Sequence, residues 1–532
     1  MFNLIITNAT VVDGSGGKPF KGHVGVQGER VTALSNAEND SENLESAEAA
    51  VRIDAAGRML TPGFVDVHGH SDMNVLANAN AESKLRQGIT TEIVGNCGYS
   101  AFPLRGQFLA DEQESNKDIG IEINWQNVDG YLNALAAVKP AMNIASFVGH
   151  CNIRGSVMGF EDRVPRSDEM KAMRREVEIA MEAGALGLST GLIYSPGYFA
   201  DSAEVVELQK AAGKGIYASH VRGEGDTLLE AADEFMEVVE GAGCQGQFSH
   251  LKASAPRNWG KVSKVIDQVE AINERGGNVR FDKYPYVASS TGLDSLLPRW
   301  VRDGGRERAL ERLADSSLMD RIISEAAEMN EGKDGWDSVI ICSAGSDAYK
   351  PYHGKSIGEI AVARGMKTGE VFIDMLLKGR MHTSIANFTM NQEETDLVLT
   401  HPLGMVCTDA GCRAPYGALH HDFPHPRAYG SFGKFFRDYV KERSLMSIEA
   451  AVAKVSGLPC ETFGLRNRGK IADGYFADLL LIDWPRFEDR ATFADPHQYC
   501  TGLDAIVVNG CLTVSGEQHT GNRGGRFLRR EG

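Results

Sequence analysis

The chain has 532 residues, 42% hydrophobic and 24% charged; single cores seldom outgrow about 250–300 residues outside barrels, so one large globular domain with appendages is expected. A net charge of −17 (55 basic against 72 acidic side chains) argues against nucleic acid or an anionic membrane surface as a principal partner. No apolar run approaches the ~18 residues of a membrane span, the N-terminus lacks the layout of a secretory signal, and nine scattered cysteines suit reduced thiols, so a cytoplasmic location is expected.

Residues 1–58 carry short alternating runs, FNLIITNATVV and HVGVQGERVTAL, separated by Gly, Asn and Asp, which read as β-hairpin elements. From 59 to 465 short apolar strands alternate with helix-like stretches such as SDEMKAMRREVEIAMEAGA and LLEAADEFMEVVEGAG, the signature of βα units around a parallel sheet. Eight strand candidates are countable in chain order: GFVDVHGH, TTEIVGNC, NIASFVGH, ALGLST, GIYASH, CQGQFSH, NVRFDKYPY and GMVCTD. Eight such units predict an α/β fold of the (β/α)8 TIM-barrel type. The stretch from Tyr284 to Asp409 is too long for one unit, and about 288–350 reads as an inserted, mostly helical, lid-like subdomain. Residues 466–532 return to the opening style with KIADGYFADLLLIDW and AIVVNGCLTVSG, so both chain ends are expected to build one composite β domain.

A barrel gathers its active site at the carboxyl ends of its strands. There the first strand candidate ends in His68 and His70, whose spacing directs both to one face. The second ends in Cys97, the third in His150, the fifth in His220 and the sixth in His250 with Lys252 beyond. The seventh ends in Tyr284 and the eighth in Asp409. One histidine at a strand end is commonly a satisfied core residue, but several converging on one mouth point to a metal, because buried imidazoles and carboxylates are costly unless paired or ligated. Cys97 lies in a Gly95-Asn96-Cys97-Gly98 turn, which favours a thiolate ligand over an inert buried thiol and selects Zn²⁺ over Mg²⁺ or Mn²⁺. His150 divides between a substrate or supporting contact and a structural role. Cys407 and Cys412 read as structural, and His420, His421 and His425 as a surface-loop cluster.

These residues together resemble the amidohydrolase superfamily, and within it the N-acyl-D-amino-acid deacylases, or D-aminoacylases. The resemblance is carried along nearly the whole chain by GNCG, GLSTGLIYSPG, SHVRGEG, SHLKAS, DKYPYVASST and PHPRAYGSF. Other branches carry a carboxylated lysine or a glutamate on strand four, where this chain has Ser189 and Thr190. The resemblance implies a tightly held Zn²⁺ on Cys97, His220 and His250, with His68 and His70 framing a second, weaker position. It implies Asp409 as the proton carrier, and Lys252, Tyr284 and Arg427 as anchors for a small-molecule substrate's α-carboxylate. The strand-eight acid sits in Thr408-Asp409-Ala410 where the family usually reads SDG, and a longer loop follows it. With no further arginine evident, a pocket near Tyr194 and Ser290 is expected to take a neutral or hydrophobic D-side chain. The alternatives are a cyclic amidase or D-specific dipeptidase, a non-catalytic scaffold, and a thiol hydrolase using Cys97 as nucleophile.

Overall fold

The computed structural model describes residues 1–36, 44–330, 335–420 and 422–530. Its centre is a closed barrel of parallel strands in chain order: Phe64–Asp66, Ile89–Val94, Asn143–Ser146 continued by Val148–Gly149, Gly187–Gly191, Ile216–His220, Gly246–Phe248, Val279–Lys283 and Gly404–Val406. All eight strand candidates are barrel strands. Their residues are almost uniformly buried, which is why they read as unbroken runs and not as alternating ones. The ring closes between its first and last strands, where Gly69 bridges Ala410, the Asp409 N–H donates to the His68 carbonyl at 2.8 Å, and the His70 N–H donates to the Ala410 carbonyl at 3.1 Å. Closure therefore joins the HGH segment to the strand-eight acid directly.

The third strand is split, its first part pairing with the second strand and its second part with the fourth. Main-chain groups exposed by the split are taken up by the C-terminal tail. Ile144 donates to the Arg526 carbonyl at 2.9 Å, and Leu528 donates to the Ile144 carbonyl at 2.7 Å.

Both chain ends meet in one nine-stranded sheet, as expected. Phe2–Val11 pairs with Phe20–Gln27 and with Met59–Pro62, and Met59–Pro62 pairs in turn with Leu479–Ile482. Leu4, Ile6, Val24, Val26, Leu479, Leu481 and Val507 fill its core. The sheet takes in residues up to Pro62, slightly past the 1–58 expected for its first part, and hands the chain straight to barrel strand one.

Between strands seven and eight lies the insertion, which has its own core of Leu313, Ile322, Ile341, Ile360, Phe372 and Leu376. It is helical, with Arg306–Ala314, Met319–Met329, Ile357–Arg364 and Thr368–Lys378, but a three-stranded antiparallel sheet of Ser289–Gly292, Ser384–Asn387 and Val339–Ser343 closes it. The insertion thus runs to Asn387, beyond the 350 boundary read from sequence. VIICS and SIAN are too short for periodicity to tell them from helix segments. No helix among the described residues is long and apolar enough to cross a membrane.

Candidate active site

Three residues at the barrel mouth hold backbone conformations that non-glycine residues rarely adopt: Cys97 at φ 55°, His250 at φ 34° and Asp409 at φ 49°. Such conformations cost of order 1–3 kcal/mol each and persist where the surroundings over-determine them. Each turns a side chain inward at the end of a different strand. The glycine of HGH has a separate reason, since a Cβ on Gly69 would lie 1.9 Å from Glu92 Oε1.

The inward side chains converge on Cys97. Its Sγ lies 3.2 Å from His68 Nε2, 3.7 Å from His220 Nδ1 and 3.5 Å from His250 Nε2. Asp409 Oδ1 is 3.0 Å from His70 Nε2 and 3.5 Å from His68 Nε2. Cys97, His220 and His250 offer one sulfur and two imidazole nitrogens within 4.8 Å of one another, and His68, His70, Cys97 and Asp409 form a second such group. The first set fits Zn²⁺: a soft thiolate with two imidazoles, three protein ligands in all, leaving a vertex open. The second adds a carboxylate and shares Cys97.

Electrostatics follow from this crowding. Burial works against ionisation of the Cys97 thiol, but the charge of His68 and hydrogen bonds from His220, His250 and His68 outweigh it and hold the thiol well below its usual range. Burial likewise opposes a charged His70, yet the bond to Asp409 and the facing Cys97 raise the imidazole to about 9. Asp409 is held well below the carboxylate range despite its burial, first by Arg427 and then by the histidines.

A cavity of about 280 Å³ opens over these groups, lined also by Lys252, Tyr284, Arg427, Tyr194 and Ser290. Several of its donors make no hydrogen bond to a described residue: the Tyr284 hydroxyl, and Nε and Nη1 of Arg427. Arg427 Nη1 comes within 2.8 Å of Asp409 Oδ2, an ion pair in which the N–H is not aligned for a hydrogen bond. The guanidinium lies 4.6 Å from the Tyr284 ring centre, and its Nη2 donates to the Ser290 carbonyl at 3.2 Å. Tyr194 Oη sits 3.3 Å from Thr291 Oγ1. Lys252 does not face the cavity as a free cation. Its Nζ is paired with Glu224 and lies 2.7 Å from His250 Nδ1.

Of the residues singled out in the sequence, only His150 stands apart. It opens helix His150–Met158, fully buried, with Nε2 2.8 Å from Glu204 Oε1, and Arg154 closes on the same carboxylate. It therefore has no place in the cavity lining. His425 is not a surface residue: it is buried, its Nε2 3.1 Å from the Ala288 carbonyl, and it stacks edge-on against Tyr286. His420 is exposed, and His421 lies outside the described residues.

Three acidic residues beside the site escaped the sequence reading. Asp282, two positions before Tyr284 in DKYPY, lies 3.3 Å from His68 Nδ1 and accepts the His250 N–H at 2.8 Å. Glu224 sits in SHVRGEG, four positions after His220. Asp66 begins the DVHGH run and, with Glu92, holds the fully buried Lys84. All three fall inside quoted motifs, so the available signal was the acid itself, within a strand for Asp66 and Asp282 and in the following loop for Glu224.

A model of the amidohydrolase family matches residues 52–514. An N-acyl-D-glutamate deacylase of Alcaligenes xylosoxydans xylosoxydans is 34% identical over 99% of this chain and 97% of its own length. A D-aminoacylase of the same organism is 30% identical over 99% of this chain and 98% of its own. The chain belongs to the amidohydrolase family, in its D-aminoacylase branch. It is accordingly a metal-dependent amidohydrolase. The crystal structure of an N-acyl-D-glutamate deacylase from Bordetella bronchiseptica, complexed with zinc and a phosphonate inhibitor, superposes with a TM-score of 0.83 at 31% identity and covers 99% of each chain.

Proposed function

We propose that this amidohydrolase cleaves the amide bond of N-acyl-D-amino acids, releasing a carboxylate and a free D-amino acid, with Zn²⁺ held tightly by Cys97, His220 and His250. The observation that carries the reading is that Tyr284 Oη and Arg427 Nε, on residues lining the same cavity as the thiolate–imidazole set, have no hydrogen-bond acceptor among the described residues, while Arg427 Nη1 is held in an ion pair with Asp409. Buried donors without partners cost free energy, and a substrate carboxylate removes that cost. Zinc at this position supplies an activated water at neutral pH and polarises the amide carbonyl. Asp409, ionised and reaching His70 with Oδ1, accepts the proton of the attacking water and returns it to the departing amine. Arg427, Tyr284 and Lys252 hold the α-carboxylate; Lys252 turns from Glu224 to do so. His68 and His70, with Asp409, frame a second and weaker metal position. Cys97 acting as nucleophile fits less well, because its sulfur faces three imidazoles, the setting of a metal ligand.

For the D-side chain, the wall formed by Tyr99, Ile193, Tyr194, Thr291 and Gly292 supports a neutral group. A second reading, an acidic side chain, is favoured by Arg302. An adjoining chamber of about 270 Å³ shares Ile193, Glu224, Ser289 and Thr291 with the first and reaches this arginine. Arg302 is 6% exposed, forms no ion pair with a described residue, and leaves its Nε unpartnered while Nη1 donates to the Ile193 carbonyl at 3.0 Å. Turnover of N-acetyl-D-leucine, N-acetyl-D-methionine and N-acetyl-D-glutamate, each with its L-enantiomer, decides between the two. Preference for the neutral substrates supports the first. Preference for D-glutamate that vanishes in Arg302→Met supports the second, and no turnover of any D-substrate contradicts the deacylase reading.

A further inference from the structure

The loop that follows barrel strand five brings Glu224 behind the proposed zinc ligands. Its carbonyl accepts the Ser254 N–H at 2.7 Å, which ties the loop to the segment carrying Lys252. The carboxylate, 15% exposed, then meets both imidazoles from the side away from Cys97: Oε1 is 3.2 Å from His250 Nδ1 and Oε2 is 3.5 Å from His220 Nε2. The remaining ring nitrogens, His250 Nε2 and His220 Nδ1, are those that face the thiol. Each imidazole therefore spans from one sulfur to one carboxylate oxygen.

An imidazole that offers a lone pair to a metal carries its proton on the other nitrogen, and an acceptor there fixes both tautomer and ring orientation. His220 uses Nδ1 inward and His250 uses Nε2, so the two rings need opposite tautomers. A single carboxylate with two oxygens faces both of those nitrogens, and at His250 Nδ1 it competes with Lys252 Nζ, which lies 2.7 Å from the same atom. His220 Nε2 is buried and makes no hydrogen bond to a described residue, and Glu224 Oε2, 3.5 Å away, is the carboxylate oxygen that faces it. We propose that Glu224 is a positioning residue that braces both zinc histidines with one carboxylate. The proposal rests on the zinc-hydrolase reading above and extends it to a residue outside the ligand set.

The competing explanation is that Glu224 serves only as the counterion of Lys252, with which it is paired. The two are separated by measuring zinc affinity, by competition with a chromophoric chelator, in the full-length protein carrying Glu224→Gln alone, Lys252→Met alone and both together. Bracing predicts zinc binding weakened about 10–100-fold by Glu224→Gln, to the same extent whether or not Lys252 is present. Glutamine keeps the shape but places an NH₂ against one of the two rings, so one tautomer is lost. Cobalt substitution adds a second readout: the thiolate-to-metal absorption expected from Cys97 shifts in Glu224→Gln if ring orientation changes. Wild-type zinc affinity in Glu224→Gln overturns the proposal, as does a loss that disappears in the Lys252→Met background. Wild-type protein that takes up no zinc overturns the zinc reading along with it, so the two failures are distinguishable.

Discussion

Two clusters of buried ions flank Asp409, and they differ in whether the chain saturates the donors of their cations. Below the acid, Lys84 Nζ lies 2.7 Å from Asp66 Oδ2, 3.0 Å from Glu92 Oε1, 2.6 Å from Thr408 Oγ1 and 2.7 Å from the Ala410 carbonyl. An ammonium has three protons, and here four acceptors compete for them with no exposure to water. Above the acid, Arg427 pairs with Asp409 and with the Ser290 carbonyl, yet Arg427 Nε and Tyr284 Oη have no hydrogen-bond acceptor among the described residues. In the lower cluster the cation is saturated, though Glu92 Oε2 beside it makes no hydrogen bond to a described residue; in the upper one the donors themselves are open, as the proposed carboxylate site requires. The two meet at Asp409, because Lys84 grips the residues on either side of it. The Thr408 hydroxyl of the unusual TDA turn belongs to this grip, donating to Asp66 Oδ2 at 2.6 Å. Other buried amines extend the contrast. Among the described residues Lys454 donates only to the His401 and Gly404 carbonyls, each at 2.6 Å, and burial lowers it to about 8.

The largest effect expected from breaking this contrast is at the shared acid. Asp409→Asn keeps the turn and its neighbours but cannot take a proton, so kcat falls about 10³-fold or more while zinc content and melting temperature stay near wild type. A kcat within a few-fold of wild type removes Asp409 from proton transfer. In the lower cluster, Lys84→Met leaves Asp66 and Glu92 buried without their cation and costs about 3–5 kcal/mol of stability. Urea or thermal unfolding checks it, and an unchanged transition would show that the cluster is not scaffold. Truncation in the upper cluster should do the opposite. Arg427→Ala is expected to raise KM for acyl amino acids about 10–100-fold, a loss of roughly 1.5–3 kcal/mol for a charged hydrogen bond, with little change in melting temperature; unchanged KM excludes it as an anchor.

The smallest effect lies at Lys454. Its folded-state pKa of about 8 is below the ~10.5 of an exposed amine, so between these values unfolding takes up a proton and stability rises with pH. Wild type should therefore gain about 1–3 kcal/mol relative to Lys454→Met between pH 8 and 10.5. A difference independent of pH would mean the amine is charged in the fold.

The same contrast explains what was legible in the sequence. The barrel strands announce themselves because parallel strands buried on both faces are short apolar runs, and Cys97, His220, His250 and Asp409 stand out because polar residues end those runs. Closure of the sheet by both termini was readable from the return of hairpin-like runs such as AIVVNGCLTVSG. What remained hidden depends on side-chain direction over long separations. His150 ends a strand as the metal-facing histidines do, yet it turns to Glu204, 54 positions away. Lys84 meets Thr408 across 324 positions, and no local pattern marks it. Glu224 was hidden by its own motif, since an acid in a Gly-rich loop reads as solvated until the loop is seen folded against two imidazoles. The sheet in the insertion was hidden because strands of four and five residues carry no usable period.

The most direct test of the central claim, that the open cluster awaits an acyl-D-amino acid beside a zinc ion, is a turnover assay on N-acetyl-D- and L-amino acids with zinc quantified in the same samples. The account predicts hydrolysis of D-substrates over L-substrates in proportion to one tightly bound zinc per chain, with both lost in Cys97→Ser. Stoichiometric zinc without turnover of any N-acyl-D-amino acid, or turnover that survives complete removal of zinc, would contradict it.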